Sequence, residues 1–156
     1  MKFNFLTSIL TTYPSNPFIN MPPANVVDAL IVGAGPAGLS AALGLCRQRR
    51  SAVLFDSGAY RNAITPHMHN FPTWDHQAPA DFREKALAEL IHGRYRTTEY
   101  VRERVESIEQ NEAGMFCALD SAGKEWQGRK LLIATGITDV MPDIPGFKET
   151  WMNMNM

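Results

Sequence analysis

The sequence predicts an α/β fold built on a parallel sheet, and three stretches carry that expectation. Ala29-Leu30-Ile31-Val32 is a continuous apolar run, the pattern of a strand buried on both faces. Gly33, Gly35, Pro36 and Gly38 follow at once, after which Leu39, Leu43 and Cys46 recur at helical spacing around Ala41 and Ala42. "SAVLFD", residues 51–56, then reads as a second short buried strand. Strand, glycine turn, helix and strand make a unit of about 30 residues, whose crossover sets the two strands parallel. Residues 28–46 carry no charge after Asp28 and approach the length of a bilayer span. A continuous helix is nevertheless excluded, because the glycines and proline would cost it several kcal/mol.

The remaining elements follow in order. Arg47, Arg49 and Arg50 gather where the first helix should end, which suits its negative dipole end. Residues 61–79 are irregular, and so long a loop in a compact domain points to function or disorder. "ADFREKALAELIHGR" is expected to be a helix with Asp81 as N-cap, Phe82, Ala86, Leu87, Leu90 and Ile91 on its apolar side, and Gly93 as stop. "EYVRERVESIEQ", "GMFCALDSAGKEWQ" and "GRKLLIATG" alternate in hydrophobicity around an Asp120–Gly123 turn. They are expected to form a small antiparallel meander returning to the main sheet. Residues 1–24, with Pro14, Pro17, Pro22 and Pro23, read as an extended leader without the cleavage pattern of a signal peptide. The domain is expected to span 25–147 and a short tail 148–156, where "WMNMNM" is the one low-complexity tract.

Composition narrows the function classes. At 156 residues and 45% hydrophobic content the chain suits one domain with an ordinary core. A formal charge of −1 with no basic run gives no footprint for nucleic acid or an anionic membrane. Cys46 and Cys117 are the two cysteines and form no CxxC pair, so neither a disulfide framework nor a zinc knuckle is written here. A reducing, cytoplasmic setting fits that usage. His67, His69 and His76 with Asp75 invite a metal reading, but the HxH spacing is loose and no cysteine assists, so no metal site is assigned. Cys46 and Cys117 both read as small core residues, not thiol catalysts.

The strongest chemical signal is the glycine turn. Gly33, Gly35 and Gly38 make GxGxxG: the first permits a tight turn, the second admits a pyrophosphate to the backbone, and the third lets helix and strand pack. Pro36 has the fixed φ suited to a helix's first turn, and the helix N-terminus then faces an anion with free N–H groups. Asp56 closes the second strand, where an acid accepts hydrogen bonds from ribose hydroxyls and repels a 2′-phosphate. Its plainer role is a turn former in "DSG". Together these predict a Rossmann-like dinucleotide-binding fold for NAD or FAD. Ala134-Thr135-Gly136, ending the apolar strand "KLLIATG", is by itself a common strand end, but joined to the glycine turn it resembles the ATG segment of flavoproteins built from two dinucleotide-binding domains, and that resemblance points to FAD.

With those residues in view the chain resembles the FAD-dependent pyridine nucleotide-disulfide oxidoreductases of the thioredoxin-reductase-like kind. The nearest likeness is to the fungal branch that makes disulfide bridges in gliotoxin-type metabolites. "GAGPAGLSAALGL", "FDSGAYRNA", "HMHN", "WDH", "ADFR" and "LLIATGITDVMPDIPGF" carry it, over roughly residues 26–147. The resemblance implies that Gly33, Ala34, Gly35, Pro36, Ala37 and Gly38 wrap the FAD pyrophosphate and that Asp56 holds the ribose. It implies that Ser57, Gly58, Arg61 and Asn62 line the cofactor, that His69 approaches the flavin half, and that Val105 meets adenine through its backbone. Ala134, Thr135 and Gly136 would close over the nucleotide. Arg61 also suits a phosphate partner, its plainer reading being a solvated loop arginine.

In the resembled enzymes electrons pass from NADPH to FAD and then to a CxxC disulfide that exchanges with substrate. This chain has neither a CxxC nor a second glycine motif, so no catalytic residue is assigned. The expectation is an incomplete FAD-binding domain, inactive alone, with part of its sheet uncovered; homodimerisation is compatible with it. A non-catalytic dinucleotide-binding remnant is the alternative. A flavin monooxygenase shares the glycine turn but suits "DSGAYRN" and "HMHN" less well.

Overall fold

A computed structural model describes residues 26–94 and 96–154. The expected leader 1–24 therefore lies outside the described residues. One six-stranded sheet organises the chain, in the order β3-β2-β1-β6-β5-β4. Strand β1 (Val26–Val32) pairs in parallel with β2 (Ala52–Phe55) on one side and with β6 (Glu125–Ile133) on the other. Strand β3 (Thr98–Val101) extends the parallel part beyond β2. Strands β4 (Val105–Gln110) and β5 (Phe116–Asp120) run antiparallel to one another, and β5 runs antiparallel to β6.

Strand β2 and residues 29–32 of β1 are apolar throughout because both faces are covered. Ala29 and Ile31 of β1 and Leu54 of β2 pack with Leu39, Ala42 and Cys46 of α1 (Pro36–Arg47) and with Phe82 and Leu90 of α2 (Pro79–His92). Leu30, Val32, Val53 and Phe55 point the other way, onto Val105, Ala118 and Trp126 of the meander. Phe55 and Trp126 meet edge to face, ring centroids 5.8 Å apart. Period-two alternation thus divides one sheet into a helical core and a meander core. Gly128 lets β6 cross β1, since a Cβ there would sit 2.7 Å from Leu30 Cγ.

Several sequence expectations need correction. "EYVRERVESIEQ" is two strands, not one: β3 joins the parallel sheet and β4 opens the meander, with a turn at residues 102–104 between them. Asp81 is not the N-cap of α2. Ala78 holds that position, Pro79 starts the helix with its preset φ, and Asp81 lies in the first turn where its charge favours the dipole. Of the three arginines expected to end α1, only Arg47 is helical, and Arg49 turns left-handed with φ 56°. Cys46 is buried as expected, but Cys117 is not a core residue. Ala118 and Asp120 take the inward face of β5, because Asp120 accepts a hydrogen bond from Trp126 Nε1 at 2.8 Å and that fixes the strand's phase.

The irregular stretch before α2 is ordered. A 3₁₀ turn spans Arg61–Ile64, and the backbone then folds on itself through Met68 N to Gln77 O and His76 N to Met68 O, both 2.8 Å. Met68 is buried, while Phe71 and Trp74 pack edge to face on Phe82. After β6 the chain carries exposed Ile137, Val140 and Ile144 before α3 (Phe147–Met154). Strand β5 pairs with β6 only over Glu125–Gly128, so among the described residues no strand covers that side of residues 129–133. No described helix is long and apolar enough to cross a membrane.

Candidate functional site

A cleft of about 1050 Å³ opens at the carboxyl ends of β1, β2 and β6. In parallel α/β sheets this is the edge where ligands bind. Three bonds tie four strand ends together there, those of β1, β2, β3 and β6: Gly33 N donates to Phe55 O at 3.0 Å, Asp56 N to Val101 O at 2.8 Å, and Ala134 N to Val32 O at 2.8 Å. Gly33, Ala34, Gly35, Pro36 and Ala37 form one wall. Asp56, Ser57, Ala59, Tyr60, Arg61 and Asn62 form a second, and Glu103, Arg104, Val105 and Glu106 a third. Ala134, Thr135, Gly136 and Ile137 line the side next to β6.

The three glycines of the turn do different work. Gly33 has φ 108°, and a Cβ on it would lie 2.4 Å from the Ala134 carbonyl oxygen. On Gly38 a Cβ would strike the Gly33 carbonyl oxygen at 1.8 Å. Both are required by packing of the protein against itself. Gly35 caps α1 with no side-chain hydrogen bond, and a Cβ on it would meet nothing within 4 Å. Among the described residues no neighbour demands a glycine at 35, yet the position lines the cleft at the start of a helix whose first N–H groups have no intrahelical acceptor.

Asp56 is 4% exposed and accepts three hydrogen bonds from the protein around it. Its Oδ1 accepts from Gly58 N at 2.9 Å, the turn role read from "DSG", with Gly58 at φ 71°. Its Oδ2 accepts from the hydroxyls of Tyr60 and, at 2.7 Å, Tyr100. Burial, followed by the bond to Asp56, pushes the Tyr60 phenol up to about 12, and the same causes raise Tyr100. Arg83 of α2 lies 3.9 Å over the Tyr60 ring and donates to Asn62 Oδ1 at 2.9 Å. Arg61 lines the cleft, but its guanidinium makes a two-pronged ion pair with Asp139 at 2.8 and 3.3 Å.

A family model for pyridine nucleotide-disulphide oxidoreductases matches residues 27–155. The chain belongs to that family. Thioredoxin reductase aclD of Aspergillus oryzae is 52% identical over 128 residues, covering 82% of this chain and 40% of its own length. Thioredoxin reductase sirT of Leptosphaeria maculans is 46% identical over 127 residues, covering 81% of this chain and 39% of its own. Among solved structures, a putative thioredoxin reductase TrxB from Bacillus anthracis superposes with TM-score 0.74 at 34% identity, over 79% of this chain and 41% of that one. HlmI superposes with TM-score 0.72 at 38% identity, over 80% and 39%. This family member is thus thioredoxin-reductase-like, and it spans about 40% of the length of the curated relatives it matches.

Most residues singled out from the sequence meet in the one cleft. Gly38, Gly58 and His69 are not among its lining: the first packs beneath the turn, the second supports Asp56, and His69 belongs to the loop before α2. There His69 and His76 both lie near Asp75, at 3.9 and 3.8 Å, with their rings 4.9 Å apart. Tyr60 and Tyr100 were missed. A tyrosine inside "SGAY" or "EYV" reads as loop or strand filler. The available signal was a buried acid at a strand end, which demands donors from its neighbours.

Proposed function

We propose that the cleft binds FAD by its ADP half, and that this chain is the FAD-binding part of a thioredoxin-reductase-like oxidoreductase. Gly35 carries the reading: it is the one glycine of the turn with open space where a Cβ would stand, beside the α1 N-terminus and in a cleft shared with Asp56. A diphosphate is the group that rewards bare backbone at a helix start. Gly33, Ala34, Gly35, Pro36, Ala37 and Gly38 would form the diphosphate turn and Asp56 the ribose acceptor. Ser57, Gly58, Arg61 and Asn62 would line the cofactor, with Val105 toward adenine and Ala134, Thr135 and Gly136 beside it. His69 would serve the flavin end. The domain is taken as residues 25–147.

FAD would supply the redox chemistry, with NADPH and a small-molecule or protein disulfide as its partners in the whole enzyme. The residues of this chain bind and orient. Cys46 is buried with the Thr97 and Thr98 hydroxyls on its sulfur, burial pushes the Cys117 thiol up, and neither cysteine lines the cleft. The setting proposed is cytoplasmic, in a protein that binds neither nucleic acid nor membrane and whose pairing with a second copy is compatible with the reading.

Titration of the protein with FAD, followed by flavin fluorescence and competed with ADP or NADP, tests the reading. Saturable binding displaced by ADP and poorly by NADP is expected; NADP competing as well as ADP would contradict it. Given excess FAD and a disulfide, the 156-residue chain should not oxidise NADPH at an enzymatic rate. Robust, saturable turnover would contradict the reading that the residues of this chain only bind and orient.

A further inference from the structure

The carboxylate at the end of β2 already has most of its hydrogen-bonding capacity filled. A carboxylate offers about four acceptor positions. Gly58 N takes one on Oδ1, and the Tyr60 and Tyr100 hydroxyls take two on Oδ2, which leaves one on Oδ1. The three donors arrive from three directions: the turn after β2, the start of the 3₁₀ segment, and β3. Tyr100 is delivered by register, since it pairs with Leu54 and the next pair, Phe55 with Val101, ends at the Asp56 N–H bond. Tyr60 is held by the Arg83 guanidinium over its ring, and Arg83 is held in turn by Asn62.

We infer that Tyr60 and Tyr100 are positioning residues for nucleotide recognition: their hydroxyls clamp Oδ2 of Asp56, so that Oδ1 presents one acceptor to a single ribose hydroxyl of the ligand. The inference rests on the proposed reading of the cleft as an adenine-nucleotide site. The raised pKa of each phenol keeps the donated proton in place through the neutral range. Three donors on a carboxylate that is 4% exposed also remove the freedom to rotate, which favours a ligand that fits one orientation. Selection is therefore divided. The glycine turn recognises any diphosphate, and the clamped acid tests for the sugar hydroxyl.

Affinities of ADP and of 2′,3′-dideoxy-ADP for wild type, Tyr60→Phe and Tyr100→Phe decide it, with thermal melts confirming that each variant is folded. Wild type is expected to prefer ADP by roughly tenfold or more, the worth of one hydrogen bond to a charged acceptor. Each phenylalanine variant should shrink that preference at least about threefold while changing dideoxy-ADP binding less than about twofold. Equal weakening of both ligands, or an unchanged preference, would overturn the clamp and leave the tyrosines as structural. A wild type without any preference would overturn the ribose role of Asp56 itself, and the clamp with it.

Discussion

The two ends of the cleft are built from different materials. At the β1–α1 end the lining is largely backbone: Gly33 and Gly35 face the cleft, with Gly38 packed beneath them and the Ala134 carbonyl beside Gly33. At the β2–β3 end it is side chains, Asp56, Tyr60 and Asn62, held from behind by Tyr100 and Arg83. A backbone surface is tuned by excluding side chains, so one methyl group is decisive. A side-chain network is tuned by hydrogen bonds, whose loss is graded. Under the proposed reading the first end would take a group common to all dinucleotides and the second would discriminate among them.

The largest effect that would sharpen this contrast is at Gly33. Gly33→Ala puts a Cβ against the Ala134 carbonyl at a φ that L-residues avoid, so the fold should lose about 2–4 kcal/mol. Its chemical denaturation midpoint should fall accordingly. An unchanged midpoint would mean that the turn is not packed against β6 as described. At the other end, Asp56→Ala should weaken FAD binding by roughly 1–3 kcal/mol, measured by calorimetry. Unchanged affinity there would remove Asp56 from the site and make it a turn former alone.

How much of this could be seen in the sequence divides along the same line. The β1–α1–β2 unit was legible because its signals are local: an apolar run, glycines at fixed spacing and a change of period. The Asp56 network was not, because Tyr100 reaches Asp56 through the pairing of β3 with β2, across 44 positions of chain. The same distance effect hid β3 itself. Thr98–Val101 reads as one more alternating stretch, and only its parallel partner distinguishes it from β4. Cys117 was placed on the wrong face because alternation gives period without phase, and the Asp120–Trp126 bond sets the phase. Asp81 was read as a cap because acids favour helix starts, whereas Pro79 begins the helix two residues sooner.

A smaller effect concerns pH. Tyrosine in an unfolded chain ionises near pH 10, while Tyr60 holds its proton to about 12. The unfolded state thus releases protons first as pH rises between those values, and stability falls across that window. The contribution is fully present below pH 10. Denaturation midpoints measured from pH 9 to 12 should decline, and less steeply in Tyr60→Phe. Identical slopes in the two proteins would place the Tyr60 hydroxyl outside the network.

The central claim is that the open space above Gly35 belongs to a ligand and not to the protein. Gly35→Val tests it directly, because the substitution fills that space, where among the described residues no atom beyond the adjoining chain lies within 4 Å of the new Cβ. The measurement is FAD affinity and thermal midpoint of wild type and variant, side by side. The variant is expected to melt within a few degrees of wild type and to bind no FAD at concentrations that saturate the parent. Equal FAD affinity in a folded Gly35→Val protein would contradict the assignment of the turn, and with it the function proposed for the cleft.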